Sequence, residues 1–231
     1  MRLYIIRHAD PDYENNTITE KGHREAEALA CRLQREKITK IFSSSMQRAL
    51  DTAIYTSMLT GIKIEKYDWL REFEWNDYVE DYINPWDIPG KDLLEPPNSP
   101  TWDGWRDTTL FNAEGVYADL NSRICAFDKF LHTQGYVKED RHYRITKDNH
   151  ERIAIFCHAG FGNAIISYLL NIPLTIQWAG FWMAPSSVTT IAFSKRDDDN
   201  VSPRCIAYGD VSHLYKENLE VQPRGYLGDF Y

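Results

Sequence analysis

Leu3-Tyr4-Ile5-Ile6-Arg7-His8-Ala9 stands near the start of the chain, and its reading decides the fold. Four apolar residues run together, as in a strand buried on both faces, and His8 falls just past their end. The arrangement returns at Ile153-Ala154-Ile155-Phe156-Cys157-His158-Ala159-Gly160. Between these stretches strand and helix signals alternate. Thr19 reads as the N-cap of a helix over 20–33, with Ala26, Leu29, Ala30 and Leu33 at helical spacing. Residues 38–43 read as a strand, 45–59 as a helix ended by Gly61, and 62–65 as a short strand. Strand, helix, strand, helix, strand implies a parallel sheet.

The pattern then breaks. Residues 75–100 are rich in Pro, Trp, Asp and Tyr and read as a long functional loop, such as a lid. Residues 113–132 read as a helix and 138–152 as a polar surface excursion. Strand and helix signals resume at 153–157 and 162–170, followed by a strand over 187–193, a turn over 196–200 and a last strand over 204–208. The expected fold is a three-layer α/β/α sandwich with a mostly parallel sheet. It forms one domain over 1–231, with 75–150 as a capping insertion. Trp75, Trp86, Trp102 and Trp105 of that insertion read as core rather than as a substrate platform.

Composition narrows the function. Of 231 residues, 43% are hydrophobic and 13% aromatic, which fits a folded globular chain. The 34 acidic and 26 basic residues leave a net charge of −8, against the basic face that nucleic-acid binding needs. Cys31, Cys125, Cys157 and Cys205 form no C-x-x-C pair, so neither a zinc site nor a redox dithiol is expected. The short N-terminal apolar run, interrupted by Arg7, does not read as a signal peptide, and no run reaches the roughly 20 residues of a membrane span. A cytoplasmic protein with no membrane partner is expected. Nothing in the sequence reports oligomeric state.

The two strand-end histidines carry the chemistry. Ligands of open parallel sheets bind at the carboxyl ends of strands. If the two strands are neighbours, His8 and His158 meet there. Small residues after each histidine (Ala9, and Ala159-Gly160) let backbone N–H groups approach a ligand, and a helix beginning near Phe161 would add its positive end. Arg7 sits beside His8, and Arg48 lies early in the helix after the second strand. A guanidinium grips phosphate in bidentate fashion and keeps its charge. The group suits a phosphoryl dianion. His8 attacks phosphorus and forms a phosphohistidine, while Arg7, Arg48 and His158 hold the oxygens. A general acid must protonate the leaving alcohol. No metal or other cofactor is required.

These residues resemble the histidine phosphatase superfamily, also called the phosphoglycerate mutase-like family. The family's Arg-His-Gly tripeptide is similar to Arg7-His8-Ala9. Its Leu-Thr-x-x-Gly resembles Ile18-Thr19-Glu20-Lys21-Gly22, and its Ser-Ser-x-x-x-Arg-Ala-x-x-Thr-Ala resembles the serine run 43–45 followed by Arg48-Ala49 and Thr52-Ala53. Its Leu-x-Glu is similar to Leu70-Arg71-Glu72, its second His-Gly or His-Ala to His158-Ala159, and its late Asp and His-Leu to Asp210 and His213-Leu214. The resemblance implies His8 as nucleophile, Glu72 as acid and base, and Arg7, Arg48 and His158 as phosphate ligands. Glu74 and Asp10 are the other carboxylates able to give the proton. The family's Thr and Asn after the tripeptide are not at their spacing; Asp10 to Asn15 stands there, and Asn15 is the substitute ligand.

Three functions follow. The first is a metal-independent phosphomonoesterase acting on a small phosphorylated substrate. The second is a phosphoglycerate mutase, disfavoured because residues 10–17 lack the longer mutase signature. The third is a non-catalytic phosphate-binding protein, disfavoured by the retention of both histidines and both arginines. Cys157 begins a run resembling a cysteine phosphatase loop, but Asn163 stands where that loop needs arginine. His213 reads as structural.

Overall fold

A computed structural model of the chain describes residues 1–75, 84–94, 101, 104–113, 115–195 and 199–226, without the side chains of 109 and 112. In chain order the strands are β1 (Arg2–Arg7), β2 (Pro11–Asp12), β3 (Thr17–Ile18), β4 (Lys40–Ser44), β5 (Ile64–Tyr67), β6 (Tyr136–Glu139), β7 (His142–Ile145), β8 (Arg152–Cys157), β9 (Val188–Ala192), β10 (Asn200–Val201) and β11 (Arg204–Asp210). The helices are α1 (Glu20–Arg35), α2 (Gln47–Thr60), α3 (Gly90–Leu93), α4 (Thr109–Asn112), α5 (Val116–Thr133), α6 (Ala159–Leu170), α7 (Leu174–Gly180) and α8 (Ser212–Lys216).

Six strands form the central sheet in the order β11-β9-β1-β8-β4-β5. The pairs β1–β8, β8–β4 and β4–β5 are parallel, and β9 runs antiparallel to both its neighbours. Successive side chains point to opposite faces of a strand, and the sheet builds two cores in that way. Leu3, Ile5, Ile153 and Ile155 face one apolar cluster with residues of α5 and α6. Tyr4, Ile6, Ala154 and Phe156 face a second with Leu29 and Leu33 of α1 and Ala53 of α2. The expected three-layer sandwich with a mainly parallel sheet is the fold.

Local chemistry explains the first crossover. Thr19 caps α1, its Oγ1 accepting the Gly22 N–H at 3.0 Å. Gly22 is also a close approach: a Cβ there would stand 2.5 Å from the Asp10 carbonyl oxygen. The glycine therefore brings α1 against the loop after β1, where the site lies.

The polar stretch after residue 138 is not all loop. Tyr136–Glu139 and His142–Ile145 pair as an antiparallel hairpin, joined to β10 in a small second sheet. Helix α6 starts at Ala159, three residues before the apolar pattern suggests, and α7 follows Pro173 directly. In the insertion, the described residues carry short helices rather than an open loop. Trp75 is buried, and Trp86 and Trp105 pack against the same core as β1 and β8. Trp102 lies outside the described residues, as do 196–198 of the expected turn. Among the described residues no helix is long and apolar enough to cross a membrane.

Candidate active site

β1 and β8 pair in register, with Arg7 opposite Cys157, so the two histidines leave the sheet side by side. The His8 N–H donates to the Cys157 carbonyl at 2.9 Å. The ring centres of His8 and His158 are 5.2 Å apart, inclined by 60°, and both rings are buried. β4 borders β8 and ends at Ser44, and α2 then carries Arg48 to His8.

The hydrogen bonds fix the form of His8. Its Nδ1 lies 2.8 Å from the Ala9 carbonyl, which can only accept, so the proton is on Nδ1 and the lone pair on Nε2. Arg48 Nε–H points at that lone pair from 3.1 Å. Burial, then Arg48 and Arg7, holds the imidazole pKa well below its usual value, so the ring is neutral at pH 7. Ala9 fits in place of glycine: it is buried, and its N–H donates to Thr52 Oγ1 at 2.9 Å.

His158 is held by Ser44, whose Oγ lies 2.8 Å from Nε2. That oxygen also accepts the Met46 N–H at 3.2 Å. The other ring nitrogen, Nδ1, is buried and without a partner. Arg7 Nε is in the same condition, although Arg7 Nη1 donates to the carbonyls of Met183 and Arg224 at 2.5 and 2.9 Å. The Ala159 N–H, ahead of the first turn of α6, meets no acceptor among the described residues. Buried donors are almost always paired in a folded protein. Two buried side-chain nitrogens without partners, Arg7 Nε and His158 Nδ1, thus face the half-buried Ala159 N–H at neighbouring strand ends, a candidate anion site.

Glu72 stands beside it and corrects one expectation. The positive end of α6 does not face a ligand alone. The Gly160 and Phe161 N–H groups donate to the Glu72 carboxylate at 2.9 and 2.8 Å, joined by the Phe73 N–H at 3.2 Å. Burial raises the Glu72 pKa, while those N–H groups and Arg48 oppose the rise. The other two carboxylates have different tasks. Both Asp10 oxygens are engaged, by Arg224 Nε and by the Thr19 hydroxyl at 2.8 Å each. Glu74 is exposed and paired with Arg71 at 3.1 Å.

Asn15 is not brought to the site. It is exposed in the turn after β2, and its amide donates to Asp12 at 2.8 Å, so this substitute ligand serves a turn instead. Cys157 faces the core with α6, and burial pushes its thiol far above the usual range. His213 is buried against Ser186 Oγ at 3.2 Å, and the Ser186 N–H donates to the His8 carbonyl at 3.0 Å, so His213 buttresses the loop after β1. The structure adds residues that the sequence did not flag. Tyr13 lies under the Arg48 guanidinium at 5.6 Å. Trp86 covers Gly160 so closely that a Cβ there would stand 2.5 Å from its ring. Asp87, raised by burial, lies within the field of Arg7. Arg224 reaches back from the tail. The Pro-Trp pair before Asp87 and the glycine at 160 were the available signals.

A mainly parallel sheet thus ends in two neutral histidines and two arginines, a set chemically suited to a phosphoryl group. The chain belongs to the histidine phosphatase superfamily (branch 1), whose family model matches residues 3–203. Over 86 residues it is 30% identical to a protein of Hydrogenobacter thermophilus named "Putative phosphoserine phosphatase 2". That match spans 33% of this chain and 42% of the relative's length. Two solved structures share the fold. One is a mutant phosphoserine phosphatase from Entamoeba histolytica in complex with phosphoserine, with TM-score 0.63 and 16% identity over 92% of this chain and 98% of the other. The other is a mycobacterial glucosyl-3-phosphoglycerate phosphatase, with TM-score 0.60 and 19% identity over 90% and 98%.

Proposed function

We propose that this chain is a metal-independent phosphomonoesterase of the histidine acid phosphatase type, acting through a phosphohistidine on His8. The observation that carries the reading is the state of His8: its proton is fixed on Nδ1 by Ala9, and the Nε2 lone pair faces Arg48. Family membership and relatives named as phosphatases support a phosphatase. The substrate is a small phosphorylated molecule, and the four unpaired cysteines suit a reducing cytoplasm. Residues 75–150 are an insertion in a single domain; α5 within it packs on the central sheet, and the part before α5 caps the site, with Trp86 set over Gly160 beside His158.

A phosphoryl oxygen takes over the Arg48 N–H and frees the His8 lone pair. Arg7 Nε, His158 Nδ1 and the Ala159 N–H bind the remaining oxygens. Nε2 attacks phosphorus as the P–O bond to the alcohol breaks, and Glu72 gives its proton to the departing oxygen. The ionised Glu72 then takes a proton from water, whose oxygen attacks phosphorus and displaces neutral His8. The chain's own cations and N–H dipoles supply the charge that a metal would bring.

The pH dependence follows from two opposite shifts. His8 must be neutral, and its lowered pKa keeps it so in acid. Glu72 must be protonated, and its raised pKa extends that form above the usual carboxylate range. The bound dianion raises it further. Turnover is therefore highest between the two values and falls as pH rises past that of Glu72. p-Nitrophenyl phosphate hydrolysis measured across pH, with and without EDTA, tests this. The expected result is EDTA-resistant turnover with a bell-shaped pH profile whose alkaline limb lies above the ordinary carboxylate range. No turnover on any of a panel of phosphate esters overturns the reading, and conversion of 3-phosphoglycerate to its 2-isomer replaces it with a mutase.

A further inference from the structure

The catalytic residues leave a second concave feature unexplained. A cavity of about 400 Å³ lies between α5, the far half of α6 and the β6–β7 hairpin, within the usual size of small-molecule sites. None of the active-site residues lines it. Its inner walls are apolar, built from Leu120 and Ile124 of α5, Ala164 of α6 and Leu174. Among the described residues its charged lining is Arg106, Lys138 and Arg141 against the carboxylate of Asp140. That local excess of cations stands out in a chain of net charge −8.

Lys138 is the unusual member. Its ammonium lies 3.3 Å from the centre of the Tyr168 ring and 5.5 Å from that of Tyr143, and it donates to the Tyr168 carbonyl at 3.0 Å. The nearest buried carboxylate, Asp128, instead accepts the Tyr168 hydroxyl at 2.6 Å and leaves its other oxygen unpartnered. No ion pair joins Asp128 to Lys138. Burial lowers the ammonium pKa to about 8; Arg106 adds to this, and Asp128 and Asp140 oppose it. A half-buried ammonium between two aromatic faces, without a direct counter-ion, is a costly arrangement unless an anion completes its shell.

We propose that this cavity binds a small organic anion with an apolar, ring-bearing body. Lys138, Arg106 and Arg141 take the anionic head, and Trp105, Leu120 and Ile124 enclose the body. A carboxylate, a phosphonate and a sulfonate share this chemistry. Helix α6 links the cavity to the active site, since Ser167 at the cavity lies eight residues, or about 12 Å, along the helix from Ala159.

The test titrates the full chain with 1-anilinonaphthalene-8-sulfonate in saturating inorganic phosphate, followed by fluorescence. Uncharged N-phenyl-1-naphthylamine serves as the neutral comparison. One equivalent of the sulfonate binds, and the neutral analogue binds at least about tenfold more weakly. Lys138→Gln and Ile124→Trp each weaken sulfonate binding by about tenfold or more, one by removing the charge and the other by filling the space. Circular dichroism melts of both variants match the parent, and their p-nitrophenyl phosphate turnover stays within about twofold. Displacement by 1-naphthoate or by 1-naphthylphosphonate identifies the preferred head. Equal affinity in both variants, equal binding of the neutral analogue, or displacement by neither competitor overturns the proposal.

Discussion

Replacing His8 by alanine lowers kcat/KM on p-nitrophenyl phosphate by about 10⁴-fold or more, a size typical of removing a nucleophile. The loss is chemical rather than structural. His8 ends a strand whose core residues Leu3, Ile5 and Ile6 are fully buried and untouched by the change. His8→Asn is the sharper control, because its side-chain amide can keep the hydrogen bond to the Ala9 carbonyl while offering no nucleophile. Its melting temperature stays near that of the parent, and inorganic phosphate still binds, since Arg7, Arg48 and His158 remain. A variant that binds phosphate yet does not turn over separates catalysis from binding. Substantial turnover in both variants would remove His8 from the reaction.

Glu72→Gln gives the second large effect, and its size depends on the leaving group. On an alkyl phosphate, whose alkoxide must be protonated as it departs, the loss is about 10²- to 10⁴-fold. On p-nitrophenyl phosphate, whose phenolate leaves unaided, formation of the phosphohistidine is much less affected. The alkaline limb of the pH profile disappears with the carboxyl group. Glu72 also receives the Gly160 and Phe161 N–H groups, so a purely structural account predicts a comparable loss on every substrate. Pre-steady-state rates on the two classes of ester distinguish the accounts: equal losses leave Glu72 as a positioning residue only.

The parts of this site that the sequence makes legible are those fixed by short-range rules. His8 and His158 follow apolar runs that are buried on both faces, so their strand-end positions follow from composition alone. Thr19 and Gly22 carry their cap and close approach in a four-residue spacing. Arg48 sits one residue into a helix whose stop is marked by Gly61 in the left-handed conformation. What stays hidden depends on distant chain. The hairpin of Tyr136–Glu139 and His142–Ile145 mixes charged and apolar residues on partly solvated strands, so its alternation is weak. The junction of Glu72 with α6 joins positions 88 and 89 residues apart through backbone N–H groups, which no side-chain pattern records. Arg224 reaches Asp10 across 214 residues from a tail with no periodicity. Asn15 is the converse case: it stood in for a ligand that the chain lacks at the family's spacing, but Asp12 three residues before it claims its amide for a turn.

The central claim is a covalent bond between phosphorus and His8 Nε2. Rapid mixing with a phosphate monoester labelled with radioactive phosphorus, followed by a denaturing quench in alkali, captures it directly. Phosphohistidine survives alkali and is lost in acid. The account predicts label on the peptide containing His8, with a mass increase of one phosphoryl group, formed no more slowly than turnover and absent from His8→Ala. Label on Cys157, or full turnover with no labelled protein at any quench time, would contradict it.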